Sequence, residues 1–441
     1  MDKLKKIRKK ILELSSEYAE IAFEREDEFI PGKSHVPVSG KLIGKKEIEF
    51  IVDSCLDGWF TTGRFSHEFE KKFAIYMDQR FCLLTNSGSS ANLLALSALT
   101  SPDLKDKRLK KGDKVITVAA GFPTTVNPII QNGLIPVFVD VNLDDYGIEI
   151  ESLEKAYTED VKAIMLAHTL GNPFNIEEVF NFAEKKKLWL IEDCCDAIGA
   201  KYNKKKVGTY GHIATASFYP AHHITMGEGG AVLTDSPKLK KIIESFRDWG
   251  RDCWCAPGID NTCGKRFDWK LGELPHGFDH KYIYSHIGYN LKLTDMQAAL
   301  GLAQLGRIEE FISKRINNYN YLFKNLKTLG SFLKFPKPLK KSQPSWFGFP
   351  IYVKKESPIN RNRLIYELNK LNIGTRLLFA GNLLKQPAYL NAGIKRNGIE
   401  LPNTDLVMEN VFWVGVQPNL KQEKLSYIVS SFHKIFKVKL I

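Results

Sequence analysis

Between residue 80 and about residue 235, short apolar segments alternate with segments of helical periodicity. The apolar segments include KVITV, IPVFV, AIMLA and LWLIED, and turn residues bound them. Runs rich in Val, Ile and Leu that are separated by helices are typical of a mostly parallel sheet with helices on both faces. The sequence therefore predicts a large α/β domain.

The chain has 441 residues, which is too long for one compact core, so we expect two domains that share an interface. Residues 1–35 are predicted to form a helix, reaching to about residue 30, and a connector that contains Pro and Gly. The predicted helix has an apolar face made of Leu4, Ile7, Ile11 and Leu14. Residues 36–300 form the predicted large domain, with a cysteine-bearing insertion over 250–285. Residues 301–441 form a smaller C-terminal α/β domain.

The formal net charge of +13 suits an anionic partner, and nucleic acid, a lipid surface, an acidic protein and a phosphorylated substrate all qualify. The basic residues are dispersed, and no nucleic-acid module accompanies them, so we expect a phosphate-bearing small molecule and an acidic protein partner rather than nucleic acid. The apolar segments are shorter than the roughly 20 residues of a membrane span. We expect no membrane span, and a cytoplasmic protein, because the N-terminus lacks the apolar core of a secretory signal.

Small and hydroxylated residues follow the apolar segment FCLLT, in the order Ser87, Gly88, Ser89 and Ser90, before a helical segment begins. The N–H groups at a helix N-terminus bind phosphate well, and small residues let the phosphate approach. A serine-rich helix cap gives the same pattern, so both interpretations stay open at this point.

Two further residues are placed after predicted strands. Phe122 lies in the loop AAGFPTT, and Asp193 ends the segment LWLIED. An aspartate can keep a heteroaromatic nitrogen protonated, while an aromatic ring stacks on the same heterocycle. The alternatives are a core role for Phe122 and a helix-cap role for Asp193.

Seven motifs occur in a fixed order along the chain: GWFTTG, NSGSSA, GFPTT, GNP, EDCCDAIG, SFYPAHHITMGEGGAV and GYNLKLTDMQAALG. In this order they resemble the DegT/DnrJ/EryC1/StrS family of vitamin B6-dependent enzymes, which act on nucleotide-linked keto sugars. The resemblance runs from about residue 36 to past residue 390. It implies the fold type I PLP-dependent aminotransferase architecture, a homodimer with active sites at the interface, and a cofactor bound by residues 36–300.

The resemblance assigns residues to the cofactor, pyridoxal or pyridoxamine 5'-phosphate (PLP or PMP). They are Ser89, Ser90, Phe122, Asp193, Asp196, Ser217 and Asn290. The three serines would contact the phosphate, together with Asn290 of the partner subunit. Phe122 would stack on the pyridine ring, Asp193 would pair with its nitrogen, and Asp196 would lie near its hydroxyl.

Most relatives carry a lysine five residues after the serine of the SF motif, and here that position is His222. No lysine lies between Lys206 and Lys238, so the loop offers no amine for a Schiff base. The expected cofactor is therefore noncovalently bound PMP, and a neutral imidazole is a suitable base for C3 dehydration of a keto sugar. Tyr219, in the same loop, and Asp196 are the other predicted catalytic residues. A purely structural role for His222 is the alternative.

Four cysteines form a spaced set, Cys195, Cys253, Cys255 and Cys263, with 57, one and seven residues between them. The spacing alone leaves a structural zinc and an iron–sulfur cluster open. Combined with His222, it resembles the branch of the family that deoxygenates CDP-4-keto-6-deoxy-D-glucose at C3 for 3,6-dideoxyhexose and O-antigen synthesis. That branch implies a [2Fe–2S] cluster on these four residues, with Cys194 excluded, and an iron–sulfur flavoprotein reductase as partner.

Three other functions stay open on the sequence. They are a cluster-free PMP-dependent nucleotide-sugar 3-dehydratase, a sugar aminotransferase, and a non-catalytic relative. The four cysteines oppose the first, and His222 opposes the second. The nucleotide of the substrate is not determined by any residue pattern.

Overall fold

The computed structural model describes residues 2–23, 28–394 and 400–438. Its first two thirds contain nine strands, which are β1 (Phe81–Thr85), β2 (Lys114–Val118), β3 (Ile135–Val139), β4 (Val161–Ala167), β5 (Trp189–Asp193), β6 (Lys201–Tyr202), β7 (Lys205–Lys206), β8 (Ile213–Ser217) and β9 (Gly230–Thr234). Seven of them form one sheet in the order β1-β9-β8-β5-β4-β2-β3. The neighbours from β8 to β3 are parallel, and β9 is antiparallel to both of its neighbours. The predicted mostly parallel α/β sheet is confirmed.

Helices cover both faces of this sheet. The helices of the same part of the chain are α1 (Asp2–Phe23), α2 (Lys45–Cys55), α3 (Arg64–Tyr76), α4 (Gly88–Ala98), α5 (Pro123–Gln131), α6 (Ser152–Ala156), α7 (Ile176–Lys186) and α8 (Pro237–Arg247). Helices α4, α5 and α8 bury apolar residues against one face, and α3 and α7 against the other. Because both faces are covered, the strands read as near-continuous apolar runs.

The C-terminal part begins with α9 (Asp295–Leu305) and α10 (Ile308–Leu326) and contains a second sheet. The remaining elements are β10 (Leu333–Lys334), β11 (Ser342–Gln343), β12 (Gly348–Val353), α11 (Arg361–Lys370), β13 (Thr375–Leu377), α12 (Pro387–Asn391), α13 (Pro402–Asn410), β14 (Val411–Gly415) and α14 (Gln422–Phe436). The second sheet is antiparallel, in the order β10-β12-β14-β13, and packs on α10, α11 and α14. Strand β11 instead joins the hairpin β6–β7, so the two parts also share a small sheet.

Helix α1 is shorter than predicted. It ends at Phe23, and residues 28–30 are non-helical and lead into a turn in which the N–H groups of Lys33 and Ser34 donate to the carbonyl of Ile30. The prolyl residue Pro31 inside this turn cannot donate a helical hydrogen bond, which explains why the helix does not reach it. Among the helices that the structure describes, none combines the length and the apolarity of a membrane span.

The predicted cysteine-bearing insertion is a long excursion between α8 and α9. Its two ends are joined by a bridge between Arg251 and Tyr284. Inside it, Arg266 forms two hydrogen bonds of 2.9 and 2.6 Å with the carboxylate of Asp279. The ring of Trp269 stacks on that of His280 at a centroid distance of 4.7 Å. Polar pairs and ring contacts therefore shape this segment, which has no strand of its own.

A buried carboxylate, Glu192, holds the end of β5 in place. It accepts hydrogen bonds from His168 and from the backbone N–H groups of Gly208, Tyr210 and Gly211, at 2.6–3.1 Å. Burial opposes its ionisation, but these donors outweigh burial and lower its pKa. Glu192 thus ties β5 to the loop before β8, and it immediately precedes Asp193.

We expect Glu192→Gln to lower the free energy of unfolding by about 1–3 kcal/mol, because an amide nitrogen then faces N–H donors. Urea titration measures this loss of unfolding free energy. Glu184→Gln is the control, because it makes the same chemical change at an exposed position. Since the pKa of Glu192 is lowered on folding, its stabilisation is present above the ordinary value of 4.5 and is lost as the pH falls below it. A variant as stable as the parent at pH 7 would contradict this role.

Candidate active site

The segment after β1 forms the expected helix N-terminus. Ser87 is the N-cap of α4, and its hydroxyl accepts the Ser90 N–H at 3.0 Å. Ser89 is exposed, and its hydroxyl lies 3.2 Å from that of Thr124 at the start of α5. The same loop can therefore act as a helix cap and as a phosphate-binding site. The cap uses one N–H group of the first helical turn, and the other N–H groups of that turn can donate to an anion.

Gly88 makes this loop possible. A β-carbon at Gly88 would lie 2.4 Å from the β-carbon of Ser217, the last residue of β8. The loop after β1 and the end of β8 therefore touch with no side chain between them. Ser217 is nearly buried, and this contact places its hydroxyl beside the N-terminus of α4. The predicted phosphate-binding serines are brought together by this contact.

Asp193 lies at the carboxyl end of β5 and is almost buried. One of its oxygens accepts hydrogen bonds of 2.7 Å from both Asn92 and Thr125, and the other accepts the Cys195 N–H at 3.1 Å. These donors fix the orientation of the carboxylate. Asn92 is further fixed by Thr215 of β8, whose hydroxyl donates to it at 2.6 Å. The arrangement suits a carboxylate that must face a protonated ring nitrogen.

Two aromatic side chains are exposed at this edge of the sheet. Phe122 is 51% exposed and contacts Phe379 edge-on at 5.8 Å, and Tyr219 is 52% exposed. Neither is a core residue, which removes the alternative of a packing role for Phe122. An exposed ring on a site edge is available for stacking on a heterocycle.

His222 lies in the turn after β8, where its backbone N–H donates to the backbone carbonyl of Tyr219 at 2.9 Å. Burial, together with the nearby positive charge of Arg315, lowers its pKa to about 4. Its ring packs at 5.0 Å from that of Phe347. The buried Nδ1 atom has no hydrogen-bond partner among the described residues. The imidazole is therefore neutral, and one nitrogen is free to accept a proton.

Asp196 faces His222, with 3.5 Å between its Oδ1 and the imidazole Nδ1. Burial, with a contribution from Asp193, raises the pKa of Asp196 to about 8. The contact accordingly joins two neutral groups and is not an ion pair. The second carboxyl oxygen of Asp196 accepts a hydrogen bond from the backbone N–H of Leu170 at 3.3 Å, which holds the carboxyl group in place.

Arg315 is a site residue that the sequence did not indicate. Its guanidinium is buried and donates to the carbonyls of Ala221, His222 and Phe347 at 3.0–3.1 Å. Burial lowers its pKa to about 10, so it remains charged at neutral pH. Arg315 lies on α10 within an ordinary amphipathic pattern, so no local signal distinguishes it. His223, by contrast, is buried and contacts the Ser345 carbonyl at 3.0 Å, as a structural neighbour does.

Asn290 is exposed near the edge strand β1. Its side chain accepts a hydrogen bond from Lys292, and the carbonyl of the next residue, Leu291, accepts the Asn86 N–H at 2.8 Å. Its predicted contact with the phosphate across a subunit interface stays a prediction.

The four spaced cysteines fall in two places. Cys195 lies beside Asp193 in the site, and burial raises the pKa of its thiol. In the insertion, the Cys255 N–H donates to the Cys253 sulfur at 3.4 Å, and the Cys255 sulfur lies 3.0 Å from the Thr262 hydroxyl, next to Cys263. No three of the four sulfurs lie within 4.8 Å of one another among the described residues.

The profile of the DegT/DnrJ/EryC1/StrS aminotransferase family matches residues 41–433. The chain belongs to this family. Every predicted site residue lies in the matched region, whereas α1 lies before it.

Relatives and solved structures agree with this membership. The lipopolysaccharide biosynthesis protein RfbH of Salmonella typhimurium is 59% identical over 98% of both chains. The dTDP-4-dehydro-2,6-dideoxy-D-glucose 3-dehydratase of Saccharopolyspora spinosa is 49% identical, over 93% of this chain and 89% of that protein. The structure of the Escherichia coli GDP-4-keto-6-deoxy-D-mannose-3-dehydratase with bound hydrated PLP superposes with a TM-score of 0.80 and 29% identity, covering 90% of this chain and 99% of that one. The fold type I PLP-dependent architecture is confirmed.

We expect Gly88→Ala to weaken retention of the family's B6 cofactor at least about tenfold, which is equivalent to ~1.4 kcal/mol. The new methyl group would push Ser217 of β8 away from the loop that follows β1. The absorbance of bound cofactor after gel filtration measures this. Gly121→Ala is the matched control, since it precedes Phe122 and a β-carbon there meets nothing within 4 Å. Equal retention by both variants would contradict the importance of the Gly88–Ser217 contact.

Proposed function

We propose that the chain is a PMP-dependent hydro-lyase that removes the C3 hydroxyl of a nucleotide-linked 4-keto-6-deoxyhexose in O-antigen synthesis. The observation that carries this proposal is His222, a buried imidazole with an unpaired nitrogen at the position of the family's lysine. The names of the relatives, which include two 3-dehydratases and a lipopolysaccharide biosynthesis protein, support it. CDP-4-keto-6-deoxy-D-glucose is the proposed substrate on the motif resemblance alone.

The residues present fit the cofactor. Ser89, Ser90 and Ser217 line the helix N-terminus that would hold the phosphate, and Asp193 is oriented for the ring nitrogen by Asn92 and Thr125. PMP, when bound, supplies an amine that joins the sugar's C4 ketone and a ring that accepts electrons as the C3 hydroxyl departs.

The protein's own residues handle the proton. We propose that the imidazole of His222 removes a proton from C4′ of the cofactor and that Asp196, whose Oδ1 lies 3.5 Å from the imidazole Nδ1, positions the ring. Arg315 holds the turn by its bonds to the carbonyls of Ala221 and His222. The ring of Phe347 covers the imidazole and excludes water from it. Tyr219, at the exposed edge, would orient the sugar.

His222→Asn should slow hydrogen exchange at C4′ of bound PMP by about 10²- to 10⁴-fold, the usual contribution of a general base. Exchange into deuterated water is followed by mass spectrometry of the released cofactor. His223→Asn is the control, because this neighbour is committed to the Ser345 carbonyl, and it should keep the exchange. Unchanged exchange in His222→Asn, with the cofactor still bound, would show that another group is the base.

We further propose a [2Fe–2S] cluster on Cys195, Cys253, Cys255 and Cys263. Two observations support the ligand set: the Cys255 N–H donates to the Cys253 sulfur in the insertion that also carries Cys263, and Cys195 lies beside Asp193 in the site. A cluster passes electrons one at a time, and removal of the hydroxyl without hydrolysis needs two electrons, which an iron–sulfur flavoprotein reductase would provide. All seven cysteines are free thiols, so each of the four proposed ligands is available.

Purified without oxygen, the protein should show [2Fe–2S] absorbance that dithionite bleaches. Serine at position 195, 253, 255 or 263 should abolish the absorbance and the bound iron, whereas Cys194→Ser, the adjacent buried cysteine, should keep both. An iron-free wild-type protein that still dehydrates the sugar would favour a cluster-free 3-dehydratase instead.

A further inference from the structure

Helix α1 carries an apolar row that is exposed in the part of the chain that the structure describes. The row consists of Leu4, Ile7, Ile11, Leu14, Tyr18 and Ile21. These side chains are between 37% and 74% exposed. The adjacent side of α1 contacts α2, where Ala19 is buried and Arg8 bonds to Asp53 and Asp57. The apolar row therefore borders the face that holds α1 on the protein, and that contact leaves the row exposed.

The spacing within this row is that of a coiled coil. The residues recur at intervals of three, four, three, four and three, which are the a and d positions of three heptads. A helix that lies on a membrane has a broader apolar face, of three or four residues in seven, whereas a strict a and d row is a seam for another helix. We propose that this row binds α1 of a second copy of the chain, in antiparallel orientation.

The row is self-complementary in that orientation. In an antiparallel pair an a residue faces a d residue, so Leu4 would face the partner's Ile21, Ile7 the partner's Tyr18, and Ile11 the partner's Leu14. All three pairs share one midpoint, between residues 12 and 13. Every apolar residue of the row thereby gains a partner, with no overhang at either end.

Charge selects the same orientation. Lys3, Lys10 and Glu17 occupy the g positions that flank the row, and Arg8 occupies an e position. An antiparallel pair sets Lys10 opposite the partner's Glu17, twice by symmetry. A parallel pair would align the lysine-rich first halves of both helices, which like charges oppose.

This pairing is independent of the proposed chemistry, because α1 lies before the family-matched region 41–433. The pairing would join two copies of the chain through a segment outside that region.

Engineered disulfides in the full-length protein test the pairing and its direction. The double variant Leu4→Cys with Ile21→Cys should form a disulfide-linked dimer on mild oxidation, whereas each single variant should not. A bond within one helix is excluded, because 17 residues of helix separate the two positions by about 25 Å. The wild-type chain controls for its own cysteines, and Lys6→Cys with Glu20→Cys, exposed but outside the row, controls for chance collision.

Adding Leu14→Glu to the double variant should abolish the linked dimer, because it sets a carboxylate against the partner's Ile11. Linked dimers from the single variants would show a parallel pair and overturn the proposal. No linkage in the double variant, or equal linkage in the control pair, would also overturn it. Binding of the unlinked protein to phosphatidylglycerol vesicles, lost with Leu14→Glu, would identify a lipid surface as the occupant instead.

Discussion

Two consecutive carboxylates at the end of β5 support the rest of the site from opposite faces of the sheet. Because side chains alternate along a strand, Glu192 points to the face that carries His168, and Asp193 points to the face that carries Asn92 and Thr125. Glu192 is saturated with donors and fixes the loop that leads into β8. The position of Ser217 and of the turn with His222 depends on that loop, so one strand end determines where the phosphate, the ring nitrogen and the base can lie.

Replacing a lysine by a histidine makes this rigidity more important. A covalent link would keep a cofactor in place even if the surrounding contacts were loose. Under the proposed noncovalent binding, the helix N-terminus at Ser89 and Ser90 and the carboxylate of Asp193 would have to provide the binding free energy. The contact between Gly88 and Ser217 leaves no space for the loop to relax, which is what a noncovalent phosphate site requires.

The sequence was sufficient for the parts of the structure that rest on local patterns. Apolar runs with intervening helices predicted the sheet, and the small residues after β1 predicted the helix N-terminus. The sequence could not reveal Arg315 as a site residue. Its role comes from hydrogen bonds to three backbone carbonyls, all of which lie far from Arg315 in the sequence. Likewise, the cysteine spacing suggested a ligand set but contained no information about which thiols meet within one chain. The end of α1 was also missed, since the charged helical pattern continues to about residue 30, whereas residues 28–30 are not helical.

The electrostatics of the site favour a base over an amine at position 222. Arg315 donates all of its described hydrogen bonds to carbonyls, and the pKa of the nearest carboxyl, Asp196, is raised to about 8, so the guanidinium charge is not neutralised at pH 7. A second cation beside it would be opposed both by burial and by repulsion. A neutral imidazole avoids this conflict, and the same positive charge would attract the phosphate group of a B6 cofactor. The buried arginine therefore makes the histidine the more stable occupant of the lysine position and at the same time favours the class of ligand that the family binds.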